Sequence, residues 1–281
     1  MILGPIAIFD SGYGGLTIMK EIISLLPDYD YIYLGDNART PYGNHGKEIV
    51  TRFTEEAVNF LFNQNARLII IACYTASSLA LRELQGKYLR DPKSNFRDRK
   101  ILGVIKPVVE KAVKESRYGR IGVVGTRATV ASGAFEIELK KQKPDIIVSQ
   151  QSCPLLVPLI EEHWHKKPEA MMILKKYLRP IKNRNIDTLI LGCTHYPLML
   201  KDFKRMLGKR IKVLDSGKIV AESLTDYLKR HPEIESQLST GGTKKFYTTD
   251  DVEKFRKFSN FFTNIETKEI NKINLNSIPI Q

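Results

Sequence analysis

Residues 68–73, Leu-Ile-Ile-Ile-Ala-Cys, form an unbroken apolar run that ends in a cysteine, and this stretch decides the fold class. Continuous apolar runs of this length are typical of strands that are covered on both faces of a parallel sheet. The strand is predicted over 68–72. Further strands with comparable runs are predicted over 6–10, 31–34, 100–104, 121–124, 145–149, 188–191 and 213–215.

Amphipathic segments separate these predicted strands. In Lys47–Asn63 the apolar residues fall on one face of a helix, namely Ile49, Phe53, Ala57, Phe60 and Leu61. Helices are also predicted over 129–141, 168–182 and 220–229. Alternation of strands and helices predicts an α/β fold with mostly parallel, doubly wound sheets.

Chemically capable side chains follow several of the predicted strands. Asp10, Cys73, Thr126, Cys193 and Asp215 all stand at the carboxyl ends of such runs. Ligands of open α/β sheets bind beyond these ends, so we expect the five residues to converge on one site.

A short internal echo indicates two related half-sites. An apolar strand ending in Asp-Ser-Gly occurs at 10–12 and again at 215–217. An apolar strand ending in cysteine occurs at Cys73 and again at Cys193, each soon followed by a threonine. We expect the two halves to face each other.

The composition is that of a globular protein of one large or two modest domains, with 281 residues, 42% hydrophobic and 27% charged. No apolar run reaches the length of a membrane span, and the first residues show no secretory pattern. The net charge of +13 comes from basic residues scattered along the chain, without an arginine-rich arm. We therefore do not expect nucleic-acid or membrane binding, whereas attraction of an anionic substrate is consistent with the charge.

Three cysteines are present, an odd number that does not indicate a disulfide scaffold and favours a cytoplasmic location. A lone cysteine at a strand end is usually a small buried apolar residue, but two in matching contexts favour reactive thiols. Small hydroxyl residues after Cys73 are suited to cap a helix, whose dipole is expected to lower the pKa of this thiol. Paired thiols suit racemisation, because one base removes a proton from one face of a carbon while an acid protonates the other.

Other motifs leave alternatives open. The glycines at 12, 14 and 15 invite a dinucleotide-binding interpretation, but Thr17 stands where its third glycine belongs, so an anion-binding turn remains as the other choice. Asp10 has either a capping role or a hydrogen bond to a thiol or a substrate ammonium. His195 is either structural or functional. Cys153, His163 and His165 match no closed zinc motif.

An ordered set of motifs along nearly the whole chain resembles the cofactor-independent aspartate/glutamate racemase family, glutamate racemase in particular. The motifs are Ile8–Gly12 with Gly14–Thr17, Gly35–Asp36, Pro41–Gly43, Ala72–Cys73 with Thr75–Ala76, Gly125–Thr126 with Thr129–Val130, Cys153–Pro154 with Val157–Pro158, Gly192–Pro197, Asp215–Gly217 and Phe246–Thr249.

The resemblance implies two α/β domains related by a pseudo-two-fold, with the active site in the cleft between them. The first domain would comprise residues 1–96 and 212–281, and the inserted second domain residues 97–211. The resemblance also implies L- and D-glutamate as substrate and product, supply of D-glutamate for peptidoglycan, and no metal or cofactor such as pyridoxal phosphate. A homodimer is a further expectation.

Residue roles follow from the same resemblance. Cys73 and Cys193 would be the two acid/base thiols, acting on the D- and L-enantiomer respectively. Asp10 would support Cys73, while His195 and Glu161 would support Cys193. Substrate binding is assigned to Ser11, Pro41, Tyr42, Gly43, Tyr74, Thr75, Thr126, Thr129 and Thr194.

The chain departs from the family pattern next to the first cysteine. Tyr74 stands where the family usually has an asparagine of the substrate-binding set, and Asn37, Lys106 and Val108 are lesser departures. Two alternatives therefore stand beside glutamate racemisation. One is a racemase for aspartate or another amino acid whose pocket Tyr74 reshapes. The other is a non-catalytic regulatory homologue that binds a partner such as DNA topoisomerase.

Overall fold

Strands and helices alternate along the chain in the computed structural model, which describes residues 2–263, 265, 267 and 269–277. The strands of these residues are β1 (Ile6–Asp10), β2 (Tyr31–Gly35), β3 (Leu68–Ile71), β4 (Lys100–Gly103), β5 (Arg120–Gly125), β6 (Ile147–Ser152), β7 (Thr188–Gly192), β8 (Lys212–Val213), β9 (Lys244–Thr248) and β10 (Ile270–Lys272). The α-helices are α1 (Gly15–Leu25), α2 (Lys47–Asn63), α3 (Tyr74–Leu79), α4 (Leu81–Gln85), α5 (Ile105–Glu115), α6 (Arg127–Ala131), α7 (Ala134–Gln142), α8 (Leu156–Glu161), α9 (Pro168–Lys182), α10 (Leu200–Leu207), α11 (Ser216–Arg230), α12 (Pro232–Glu235) and α13 (Val252–Thr263).

The strands form two parallel sheets, which confirms the predicted α/β class. One sheet has the order β10-β9-β2-β1-β3-β4 and the other the order β6-β5-β7-β8. Within the first, β2-β1-β3-β4 repeats the order of the entire second sheet, so β3 and β7 occupy equivalent places. The cysteines that follow these two strands are therefore topological counterparts.

The repeated Asp-Ser-Gly segments do not occupy equivalent positions in the two sheets. The Asp-Ser-Gly segments follow β1, in the interior of the first sheet, and β8, at the edge of the second. The strand equivalent to β1 is β5, which is followed by Thr126. The two Asp-Ser-Gly segments thus occupy non-equivalent positions, whereas the two cysteines occupy equivalent ones.

The two sheets do not divide at the predicted domain boundaries. β4 pairs with β3 in the first sheet, although residues 97–211 were assigned to the second domain. β8 pairs with β7 in the second sheet, although it was assigned to the first domain. The predicted boundary between residues 96 and 97 falls in a mostly exposed loop between β3 and β4, which are neighbouring strands of the first sheet. We retain the division into two domains as a proposal, with crossovers after Gly103 and Val213.

Alternate side chains of β1 and β3 explain the continuous apolar runs. Ile6, Ile8, Leu68 and Ile70 belong to one buried cluster, while Ala7, Phe9, Ile69 and Ile71 belong to a second cluster on the other face of the sheet. Both faces are covered by helices, so neither side of these strands needs polar residues. Among the described helices, none combines the length and the apolar character that a membrane crossing requires.

The structure differs from the prediction in two helical segments and in two additional strands. The segment predicted as one helix over 129–141 is two helices, since Gly133 takes a left-handed conformation with φ +65° between α6 and α7. In α2 the fully buried stripe includes Val50, Thr54, Ala57 and Leu61, whereas Ile49 is 39% exposed. The strands β9 and β10 were not predicted, and they extend the first sheet beyond β2.

Candidate active site

The carboxyl ends of strands from both sheets meet at one small cavity. It is lined by Ser11, Thr40, Pro41, Tyr42, Gly43, Cys73, Tyr74, Thr75, Thr126, Val157, Gly192, Cys193, Thr194 and His195. Eleven of these were singled out from the sequence, and three more of that set, Asp10, Thr129 and Glu161, lie behind the lining. Asp215, expected at the same site, does not line the cavity.

Sequence reasoning missed three lining residues. Thr40 precedes Pro41 through a cis peptide bond, while Val157 and Gly192 lie within motifs already noted. The only indication for these residues was their position in the sequence next to stronger candidates. A glycine or valine side chain has no functional group that would identify it as a site residue.

The cavity has a volume of about 20 Å³. This is room for about one water molecule and far less than an amino acid needs. In this closed form of the cavity, an amino acid fits between the cysteines only if the lining residues move apart.

Cys73 is the N-cap of α3 and lies against polar neighbours. Its sulfur is 3.3 Å from Ser11 Oγ and accepts a hydrogen bond from the backbone N–H of Ala76 at 3.5 Å. Burial and the nearby Asp10 carboxylate nonetheless raise the pKa of Cys73 to about 12. The Ala76 N–H at the helix terminus lowers this pKa as expected, but desolvation of the buried thiol outweighs that effect. In the closed form Cys73 is a protonated thiol.

Asp10 is fully buried and joins the two halves. Its carboxylate accepts hydrogen bonds from the Gly12 N–H at 3.0 Å and from Thr194 Oγ1, across the cleft, at 3.4 Å. Burial raises the pKa of Asp10, although the charge of His195 opposes the shift. Ser11, rather than Asp10, makes the side-chain contact to the Cys73 sulfur, so Asp10 influences this thiol through its charge.

Cys193 lies at the start of a chain of three side chains. Its sulfur is 3.9 Å from His195 Nδ1, and His195 Nε2 donates to Glu161 Oε1 at 2.8 Å. Burial alone lowers the pKa of His195, but its contacts with Cys193 and Glu161 raise it to about 10. His195 is therefore a charged imidazolium at neutral pH, held between Cys193 and Glu161.

The raised pKa of His195 gives a stability signature. A histidine whose folded pKa exceeds its unfolded value stabilises the fold fully below about pH 6.5 and loses this contribution as pH rises through the folded pKa. We expect the free energy of unfolding of the wild type to fall between pH 7 and pH 9. His195→Asn should show a flatter profile in the same urea denaturation series. Parallel profiles for the two proteins would show that His195 is neutral in the fold.

Three threonine hydroxyls bridge the cleft above the cysteines. Thr75 from the first half lies 3.0 Å from Thr126 Oγ1 and 3.1 Å from Thr129 Oγ1, and the latter two are 2.9 Å apart. Each hydroxyl can donate or accept, so the cluster can exchange its internal hydrogen bonds for bonds to a carboxylate.

Two glycines allow the halves to approach closely. A Cβ at Gly14 would lie 2.3 Å from Thr194 Oγ1 and 2.5 Å from His195 Nδ1. A Cβ at Gly43 would lie 2.5 Å from Thr126 Cβ. The glycine-rich turn after β1 is therefore used for close packing across the cleft.

Tyr74 points from the Cys73 loop into the core of the other half. It is 2% exposed, and its ring stacks on Phe135 at 5.9 Å between centroids. Phe135 in turn packs against Gly192, the residue before Cys193, where a Cβ would come within 2.9 Å of the ring. The Tyr74 hydroxyl lies beside Ser216, outside hydrogen-bonding geometry, and is buried without a partner.

The unpartnered hydroxyl leads to a prediction for Tyr74. Tyr74→Phe removes a buried group that makes no hydrogen bond, so we expect stability unchanged or raised by up to about 1 kcal/mol. Tyr74→Asn removes the ring from its stack and should cost roughly 3–5 kcal/mol. Urea unfolding measures both. A larger loss in Tyr74→Phe than in Tyr74→Asn would contradict this description.

A second cavity is much larger, about 820 Å³, and lies beside α3, α5 and α11. Neither cysteine after β3 or β7 lines it, so size does not identify the site. The three residues considered as a loose metal set, Cys153, His163 and His165, are likewise apart from the small cavity. Within the described ranges no group of three or more potential ligands is arranged for a metal ion.

Known proteins resemble this chain along nearly its full length. Residues 14–224 match the family model of Asp/Glu/hydantoin racemases. Glutamate racemase of Persephonella marina is 42% identical over 95% of this chain and 98% of its own length. Glutamate racemase of a Sulfurihydrogenibium species is 40% identical over 98% of this chain and 100% of its own.

Solved structures agree with these relatives. The crystal structure of glutamate racemase from Francisella tularensis in complex with D-glutamate superposes with a TM-score of 0.87. The two proteins are 32% identical, and the match covers 98% of this chain and 99% of the other. The resemblance inferred from the motifs is confirmed: the chain belongs to the Asp/Glu/hydantoin racemase family, among its glutamate racemases, and is an isomerase.

Proposed function

We propose that the protein interconverts L- and D-glutamate by proton transfer between Cys73 and Cys193. The observation that carries this proposal is the position of the two cysteines after equivalent strands of facing sheets, on the walls of one cavity. Opposed bases of this kind address the two faces of a single carbon. No other titratable pair in the lining has this arrangement.

The protonated Cys73 thiol suits the L-to-D direction. In this direction we assign Cys193, next to the His195 imidazolium, as the base that removes the α-proton of L-glutamate. The Cα–H bond breaks and an S–H bond forms on Cys193. Cys73, held as a thiol, then gives its proton to the opposite face of the carbanion. The D-to-L direction uses the same steps in reverse, with the roles of the thiols exchanged.

The polar lining provides groups for the charges of the substrate. We assign Ser11, Thr75, Thr126 and Thr194 to the carboxylates and the ammonium, with Thr129 behind them. Pro41, Tyr42 and Gly43 form the wall on the side of the first half, and Tyr74 lies at the base of the wall beside Cys73. Hydroxyl and backbone donors replace water around the substrate when the cleft closes.

The cellular setting is also a proposal. Two free thiols need a reducing compartment, which supports the cytoplasm. Relatives named glutamate racemase support production of D-glutamate, and we assign this product to peptidoglycan synthesis. A homodimer remains part of the proposal, to be measured by light scattering.

The decisive experiment follows the α-hydrogen by NMR. The purified protein, without added cofactor, is incubated in D2O with L-glutamate and, separately, with L-aspartate. We expect loss of the glutamate α-proton signal together with formation of D-glutamate. Exchange with aspartate alone would transfer the assignment to an aspartate racemase. No exchange with either, from folded protein with reduced thiols, would favour the non-catalytic alternative.

A further inference from the structure

A buried carboxylate outside the proton-transfer set lies at the centre of a hydrogen-bond network on one wall of the cavity. Asp36 follows β2 and is 0% exposed. Oδ2 accepts hydrogen bonds from the Tyr42 hydroxyl and from Arg39 Nε, the latter at 2.7 Å. Oδ1 accepts one from Thr249 Oγ1 at 2.9 Å.

The partners of Asp36 anchor the same loop from two further elements. Arg39 forms an ion pair with Glu56 of α2 and lies over the Phe53 ring at 4.0 Å. Thr249, just after β9, also accepts a hydrogen bond from the Ala38 N–H at 3.0 Å. The loop between β2 and α2 is thus tied to the late strand through the Asp36 carboxylate and the Ala38 N–H, and to α2 through the Arg39 ion pair.

The loop carries residues of the cavity wall. Tyr42, whose hydroxyl binds Asp36, is 1% exposed and packs between Phe9 and Phe53, at 6.3 and 5.7 Å between centroids. The next residue, Gly43, makes the close approach to Thr126 across the cleft. A shift at Tyr42 therefore reaches both the pocket wall and the contact that closes it.

We propose that Asp36 is a positioning residue, whose carboxylate holds residues 41–43 in the place that substrate binding and closure require. The inference rests on the proposed function but concerns a residue that does not line the cavity. It acts through Tyr42 rather than on the substrate. Its loss should affect substrate affinity more than the proton-transfer step.

The test compares Asp36→Ala, Asp36→Asn, Tyr42→Phe and the control Glu56→Ala. Glu56 shares Arg39 with Asp36 but does not contact Tyr42. Because small misplacements of binding groups cost up to about 10²-fold, we expect Asp36→Ala to raise KM for both enantiomers about tenfold or more, with a smaller change in kcat. Asp36→Asn should recover most of the affinity, since its amide oxygen can face Tyr42 while its NH2 faces the Thr249 hydroxyl.

Tyr42→Phe removes only the hydroxyl that donates to Asp36. This variant tests the same interaction if Asp36→Ala folds poorly. We expect it to raise KM in the same direction, and to add little when combined with Asp36→Ala because both remove one shared interaction. Glu56→Ala should leave KM near the wild-type value even where its melting temperature falls.

A second readout does not depend on activity. The rate of Cys73 alkylation by iodoacetamide, followed by peptide mass spectrometry, should rise severalfold in Asp36→Ala and not in Glu56→Ala, because a released loop uncovers the thiol. Unchanged KM and alkylation in Asp36→Ala, with a loss of melting temperature like that of Glu56→Ala, would show a merely structural role. An inactive wild type would defeat the proposed function, while the alkylation comparison would still decide the role of Asp36.

Discussion

Cys73→Ser is expected to lower the rate of glutamate racemisation by about 10²–10⁴-fold in both directions. A serine hydroxyl keeps the size of the side chain, but its proton is far less acidic than that of a thiol. The carbanion formed by Cys193 then has no effective acid on its other face. Cys193→Ser should have an equally large effect, since it leaves no base for L-glutamate. Circular dichroism of the L- and D-forms at fixed enzyme concentration measures both.

Cys153→Ser is the matched control. Cys153 is the third free cysteine and is also buried, but it does not line the small cavity. We expect its activity to stay within a few-fold of the wild type. Full activity in either Cys73→Ser or Cys193→Ser would refute the two-thiol mechanism, whatever the control shows.

The second large effect is expected for Gly14→Ala. The backbone at Gly14 is right-handed helical, with φ −60° and ψ −32°, so alanine suffers no backbone strain there. The added methyl group instead collides with Thr194 and His195 across the cleft. Because proton transfer requires close alignment, displacement by about 1 Å should cost up to about 10²-fold in kcat. Single-turnover and steady-state assays separate this loss from a change in binding.

Gly86→Ala provides the comparison. Gly86 is also right-handed helical, with φ −60° and ψ −56°, and apart from its own chain neighbours and helix backbone no atom lies within 4 Å of a Cβ built there. We expect unchanged activity and a gain of roughly 0.5–1 kcal/mol in stability. Equal activity in both variants would mean that the halves do not close as described.

The sequence predicted most of the fold because its strands are buried on both faces. Continuous apolar runs such as 68–72 strongly favour buried strands of a parallel sheet. The cysteines that follow such runs were therefore predicted correctly to lie at the carboxyl ends of strands. β9 and β10 were not predicted because both are short and carry lysine or asparagine, which weakens the apolar signal. Gly133 was included in one predicted helix. In the structure it adopts a positive φ and separates α6 from α7.

The candidate site could be predicted as a set of residues but not as a set of interactions. The sequence around Cys73 is compatible with a buried residue as well as with a reactive thiol, so the rise in its pKa was not predicted. Glu161 without the family resemblance looked like a surface residue, because its contact with His195 joins positions 34 residues apart. Asp36 was named only as part of the Gly35–Asp36 motif, since its partners at 39, 42 and 249 are brought together by the fold.

The narrow cavity between the thiols affects the apparent affinity for the substrate. A ligand that enters only open molecules binds with an apparent dissociation constant equal to the intrinsic constant divided by the open fraction. One contact that holds the two halves together is the hydrogen bond from the Thr17 hydroxyl to the Thr194 carbonyl at 3.1 Å. Each such contact therefore weakens the apparent affinity for the substrate while it improves the alignment of the two thiols. The same few contacts therefore have opposite effects on substrate binding and on the rate of proton transfer.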